Sequence, residues 1–270
     1  MRVLLLAALL VASAEIRAAA QAYSPATPVP RTTSAPALRA YAIAREVEER
    51  FKLGLDADAR GDWTAAAAEF ARVAALRPPE PKGSTALYDL AIAYAHLHRY
   101  DDAARALRAA LALDHEFLAA MANLIAVDLS RGDLQEARAV ADRYVALDPQ
   151  SARALYSRGL VALHAGDAAT ARDDFGKLLH TNPSYAIAHY DLALAEERLG
   201  NYDAAERELR AALELAPAYA RARFALGVVL LREGHHGAAR DEFSRAMADA
   251  SADPALKNVA AAMRDAIKGP

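Results

Sequence analysis

The small and apolar positions of this chain return at a fixed interval. From Gly200 to Pro217 the sequence GNYDAAERELRAALELAP reads as the turn that ends one helix, a full amphipathic helix, and its stop. Steps of 34 residues back from Tyr202 meet Ala168, Leu134 and Tyr100, and one step forward meets His236. Two places before each stands Gly200, Gly166, Gly132, His98 or Gly234. A looser copy, GDWTAAAAEFARVAALRPPE, begins at Gly61 and is offset by three extra residues around Pro81 to Gly83. The pattern predicts six units of two helices each, about 47–80, 84–117, 118–151, 152–185, 186–219 and 220–253.

Each recurring position has a physical reading. The turn glycines let a first helix end in the left-handed conformation without steric cost, a conformation that His98 must accept or reshape. Asp62, Asp133, Asp167 or Asn201 then stands where an N-cap belongs. Ala66, Ala103, Ala137, Ala171, Ala205 and Ala239 occupy one register and are small enough for two helices to approach within roughly 8–10 Å. Four places on, Phe70, Leu107, Ala141, Phe175, Leu209 and Phe243 fill the space beside them. Pro78, Pro149, Pro183 and Pro217 disfavour helix in the residue before them and so close four of the second helices. Glu206 and Arg210 sit four apart on an exposed face, in the favourable order.

A 34-residue period with these offsets resembles the tetratricopeptide-repeat family. The family's Leu-Gly step is present as Leu53-Gly54 and Leu226-Gly227, and as Leu90-Ala91 and Leu192-Ala193, while its opening Trp is missing from every unit. The resemblance spans residues 38–253 and implies an all-α fold, a right-handed α-solenoid of antiparallel helix pairs. It also implies a function, the binding of a partner protein or peptide in a concave groove lined by the first helices.

In the family the fifth position of the first helix commonly faces the ligand. Here the resemblance puts Phe51, Tyr88, Ala122, Tyr156, Tyr190 and Phe224 at that position, in a chain only 7% aromatic. The ninth position is apolar: Leu55, Ile92, Ala126, Leu160, Leu194 and Val228. At the thirteenth, His96, His164, Arg198 and Arg232 make the edge increasingly basic, and Arg153 and Arg221 add to that side. The lysine and asparagine with which chaperone-binding members clamp a C-terminal carboxylate are absent. A segment with hydrophobic anchors and some acidic character suits this groove better. The other reading of the same rings is that they only pack between neighbouring first helices.

Outside the repeats, Met1-Arg2 and the apolar run Val3 to Ala14, followed by small residues, have the three parts of a secretory signal peptide over 1–22, cut after Ala20 or Ala22. The apolar run falls short of the roughly 20 residues a membrane span needs. Residues 23–37, rich in Pro, Ser and Thr, read as an extended linker, and helix resumes near Ala37. Asp253-Pro254 starts a last helix that caps the repeats over 254–270, with Leu256, Val259, Ala260, Met263 and Ala266 on its inward face. The expected location is outside the cytoplasm, periplasmic in a double-membraned bacterium and secreted otherwise, with no integral membrane segment after cleavage.

Composition narrows the chemistry. A net charge of -3 from 32 basic and 35 acidic side chains makes no electrostatic case for nucleic acid. There is no cysteine, hence no disulfide, thiol chemistry or lipid attachment through a mature N-terminal cysteine. No phosphate-binding loop, dinucleotide fingerprint, zincin or nucleophile-elbow motif occurs, so neither an enzyme nor a cofactor is expected. His96 with His98, and His235-His236 beside Glu233, read as solvated turn histidines rather than metal ligands, and Asp101-Asp102 and Asp173-Asp174 as helix-start or surface charge. The function expected is an exported scaffold for a protein partner. The alternative is an envelope structural or assembly protein that self-associates or acts through the ends of its stack.

Overall fold

A computed structural model describes residues 34–249 and 252–267, whose regular structure is entirely helical. The expected signal peptide and nearly all of the linker lie outside the described residues. Thirteen helices follow in order: α1 Ala35–Ala59, α2 Trp63–Ala75, α3 Lys82–His96, α4 Tyr100–Leu113, α5 Leu118–Arg131, α6 Leu134–Leu147, α7 Ala152–Ala165, α8 Ala168–Thr181, α9 Ala186–Arg198, α10 Tyr202–Leu215, α11 Ala220–Arg232, α12 His236–Ala248 and α13 Pro254–Ala266. They fall into two compact units, Met1–Leu147 with α1 to α6 and Asp148–Pro270 with α7 to α13. Within each unit consecutive helices pack on one another, and in the second the first helices α7, α9 and α11 also touch in series.

The turns follow the glycine pattern. Gly61, Gly132, Gly166, Gly200 and Gly234 all have φ between 72° and 86°, and His98 adopts the same left-handed conformation at φ 57°. Asp62 and Asp167 cap α2 and α8 by accepting from the backbone N–H of Ala65 and Thr170. Asn201 does not cap α10; its side-chain amide donates to Glu196 Oε2 at 2.7 Å instead. An amide that can donate follows the nearby carboxylate rather than the helix end.

Packing between the paired helices is a matter of matched volumes. The six alanines of the invariant register are fully buried. Phe70, Phe175 and Phe243, at most 1% exposed, each lie over a glycine of the partner helix. A Cβ on Gly54, Gly159 or Gly227 would stand 2.6–2.7 Å from the ring, closer than real Cβ contacts. The other units hold Ala91 with Leu107, Ile125 with Ala141, and Ala193 with Leu209 in the same two registers, all buried. In each of these pairs a large side chain faces a small one.

A second repeating device is electrostatic. Arg50 meets Glu69 at 3.2 Å, His189 meets Glu208 at 2.6 Å, and Arg223 meets Glu242 at 3.6 Å, each tying a first helix to its second. In the fourth unit Asp174 takes the acidic place. It is completely buried and held by two 2.7 Å hydrogen bonds from Arg158, so it is a core ion pair and not the surface charge expected from the sequence. Asp128 on α5 is likewise buried beneath Arg108 and Arg131, and burial, the largest influence, raises its pKa despite both arginines.

Helix α13 packs on α12, with Asp253 as a true N-cap that accepts from Leu256 N–H. Ala260 is buried and Leu256 and Met263 are half-buried, but Val259 and Ala266 face outward, contrary to the spacing argument. Ile267, just past the helix, takes the buried place, and its carbonyl accepts a 2.5 Å bond from Arg240. No described helix is long and apolar enough to cross a membrane.

Candidate partner-binding surface

The fifth-position side chains are embedded to different depths. Phe51, Tyr88 and Tyr156 are buried, whereas Tyr190 and Phe224 are half-buried. Where the second helix carries phenylalanine, the fifth-position ring packs against it: Phe51 on Phe70 at 5.6 Å between centroids, Tyr156 on Phe175 at 5.9 Å and Phe224 on Phe243 at 5.5 Å. These edge and tilted geometries are the favourable ones for aromatic pairs.

In the first unit Tyr88 also packs on Phe117 at 5.0 Å, Lys82 lies over the Phe51 ring, and Asn123 donates to the Tyr88 hydroxyl at 3.1 Å. His96 is exposed but stacks on Trp63 at 3.8 Å, and His98 bonds to the Tyr100 hydroxyl, so these two rings point to different neighbours.

The second unit gathers more polar aromatic surface. Tyr156 packs on Tyr185 at 5.5 Å and Tyr190 on Tyr219 at 5.1 Å, with Tyr185, Tyr190 and Tyr219 all half-buried. Burial followed by the charge of Asp191 raises the pKa of all three, that of Tyr190 to about 12, so every hydroxyl keeps its proton at neutral pH. Half-buried Arg153 lies near enough to act on Tyr185, and half-buried Arg221 on Tyr190 and Tyr219. Arg221 reaches only a loose 3.9 Å pair with Asp253.

Along the thirteenth position of this unit, His164, Arg198 and Arg232 are exposed, and Arg198 donates to the Leu163 carbonyl. Partial burial and then the Arg198 charge lower the pKa of His164, which favours its neutral form.

Two columns of the repeat were overlooked in choosing site residues from the sequence. One is the last position of the repeat, aromatic in three of them as Phe117, Tyr185 and Tyr219, whose rings extend the fifth-position aromatics. The same 34-residue step would have found it. The other is the sixth position of the first helix, where Asp89, Asn123, Ser157 and Asp191 are polar yet buried. A polar residue beside an aromatic in a helix reads as solvent-facing until the neighbouring repeat is in place.

Around Glu233 a different cluster forms. Its carboxylate is raised in pKa by burial first and then by Glu206 and Asp203, and His235 Nδ1 stands 3.7 Å away. Among the described residues no three His, Asp or Glu side chains are placed to hold a metal ion.

A search of curated protein sequences returns no match. Among solved structures the chain is similar to a tetratricopeptide repeat protein from Parabacteroides merdae, with a TM-score of 0.72 at 21% identity over 83% of this chain and 86% of that one. It is also similar to the MamA protein, TM-score 0.59 at 24% identity over 66% of this chain and 96% of that one. A third similarity is to the APC/C hetero-tetramer Cut9–Hcn1, TM-score 0.65 at 20% identity over 83% of this chain and 43% of that one. At these identities the likeness establishes an all-α helical-repeat solenoid. The tetratricopeptide-repeat family model matches residues 51–116, 127–186, 166–220 and 190–254, well over half of the sequence and in both units, and the chain belongs to the tetratricopeptide-repeat family.

Proposed function

We propose that the protein is an exported scaffold that holds a partner protein or peptide against the first-helix face of its second unit. The observation that carries this reading is the pairing of half-buried Tyr190 and Tyr219, and the half-buried Tyr185, with Arg153 and Arg221 within electrostatic reach of them. Tyrosine rings offer large contact area at low entropic cost while their hydroxyls stay hydrogen-bonded, and guanidinium groups recognise carboxylates with directional pairs. Tyr and Arg are also the residues over-represented where binding energy concentrates. The partner is therefore a segment with hydrophobic anchors flanked by Asp or Glu. Arg198 and Arg232 extend the basic edge of the same unit and suit the same partner, with neutral His164 beside them. Membership of a family that mediates protein interactions supports the class of function, and the Cut9–Hcn1 neighbour is itself a hetero-assembly. Neither catalysis nor a cofactor enters this reading. Export rests on the signal-like N-terminus alone.

A reversal of charge, Arg153→Glu with Arg221→Glu, tests the assignment. The purified full chain, immobilised, should retain acidic-hydrophobic peptides from a random display library, and the double variant should lose at least tenfold in affinity with an unchanged helical circular-dichroism spectrum. Equal retention by both proteins would refute the surface. A second reading, self-association in the envelope, draws on Leu38 and Ile43, which α1 leaves 48% and 36% exposed. A rise in mass with concentration in light scattering, lost on Leu38→Glu, would favour it.

A further inference from the structure

Asp191 is a buried acid without a cation. It follows Tyr190 on α9, is 7% exposed, and its Oδ2 accepts a single hydrogen bond, 2.9 Å from the Tyr156 hydroxyl on α7. Among the described residues no Lys, Arg or His forms an ion pair with it. The first unit builds the same junction between first helices with a neutral group: the Asn123 amide of α5 meets the Tyr88 hydroxyl of α3 at 3.1 Å, across the same 35-residue separation. The partner of the tyrosine is thus an amide at one junction and an ionisable acid at the other, while Asp89, in the same register of α3, is a second buried acid.

The groups around Asp191 do not neutralise it. Tyr156 faces it from α7, Tyr185 and Tyr219 from the turns that open α9 and α11, and Tyr190 from α9 itself. Arg153 lies within electrostatic reach of Tyr185, and Arg221 of Tyr190 and Tyr219. From α8, Asp174 is held by Arg158, and from α10, Glu208 is bonded to His189.

We propose that the α7–α9 junction at Tyr156 and Asp191 is a proton-controlled latch, held shut while Asp191 keeps its proton and drawn open toward water when the proton leaves. The protonated acid keeps a carbonyl oxygen as acceptor for Tyr156 and brings no buried charge. The ionised form accepts the Tyr156 bond more strongly, but one hydrogen bond does not replace the hydration that a buried carboxylate loses. Burial pushes Asp191 up to about 7, and the Tyr156 bond opposes that rise. Because the folded value lies above the unfolded one, the latch contributes its full stability below the ordinary carboxylate range and loses it as pH rises through about 7. The amide at Asn123 has no such dependence.

Hydrogen exchange of the full chain, read peptide by peptide at pH 5.5 and pH 8.0 with times scaled for the intrinsic rate, tests this directly. Peptides from α7 and α9 should lose at least tenfold in protection at the higher pH. Asp191→Asn should abolish that loss, and Asn123→Asp should raise the response of α3 and α5 above whatever Asp89 and Asp128 give those helices in the wild type. The latch is refuted if α7 and α9 of the wild type keep their protection at pH 8.0, or if Asp191→Asn responds as the wild type does. Should Asp191→Asn fail to fold, the wild type with Asn123→Asp decides: an acquired response in α3 and α5 supports the latch, and its absence overturns it.

Discussion

A glycine inside a helix ordinarily costs about 1 kcal/mol relative to alanine, and at three places this chain accepts that cost for a ring. Gly159 illustrates why. Its missing Cβ would lie 2.6 Å from Phe175, a side chain with no exposure through which to move aside. Gly159→Ala should therefore destabilise the second unit by about 1–3 kcal/mol, the usual cost of overpacking, despite the gain in helix propensity. Adding Phe175→Leu should recover most of the loss, since alanine over leucine is the pair used at Ala193 and Leu209. Urea denaturation of the two variants checks this. A single variant as stable as the wild type would mean that the helices separate freely. The same logic explains why Ala141 stands opposite Ile125: the volume has moved to the first helix.

Among the elements, α13 packs chiefly on α12, the last helix of the repeats. Its anchor points are Ala260, Met263, Ile267 and the bond from Arg240 to the Ile267 carbonyl, together with the Asp253 cap. Terminal repeats need such a cover because their apolar face has no further neighbour. A chain ended at Asp253 should melt several degrees lower and elute partly as aggregate, since the cluster around Phe243 and Ala246 loses its outer layer. An unchanged melting curve with monomeric elution would make the helix dispensable. Val259, exposed by 50%, should by contrast tolerate Lys without measurable change.

For the molecule as a whole, the two units divide the work differently. The first holds the neutral Tyr88–Asn123 junction and a buried Asp128 bracketed by two arginines, and the second holds the tyrosine-arginine surface and Asp191. The proposed partner surface and the proposed latch both lie in residues 148–270. The proposed export concerns the full chain and is checked separately. N-terminal sequencing of protein recovered from the exported fraction should begin at Gln21 or Tyr23, and intact Met1 in cytosolic protein would remove the export reading.

The period, the helix boundaries to within a few residues, the left-handed turns and the small-large register were all readable from the amino-acid sequence. They depend on local conformational limits and on volumes that recur every 34 residues. Even the displaced features carried a local signal, such as the aromatic column at Phe117, Tyr185 and Tyr219. What required the tertiary structure was the depth of each side chain. Tyr156 and Tyr190 are equivalent by sequence, yet one is buried and bonded to Asp191 while the other is half-buried beside Tyr219. Asp173 and Asp174 are adjacent and chemically identical, yet one is exposed and the other is sealed in the core with Arg158. Sequence periodicity places a residue on a helix face, but desolvation depends on which neighbouring helix covers that face, and only the assembled stack decides it.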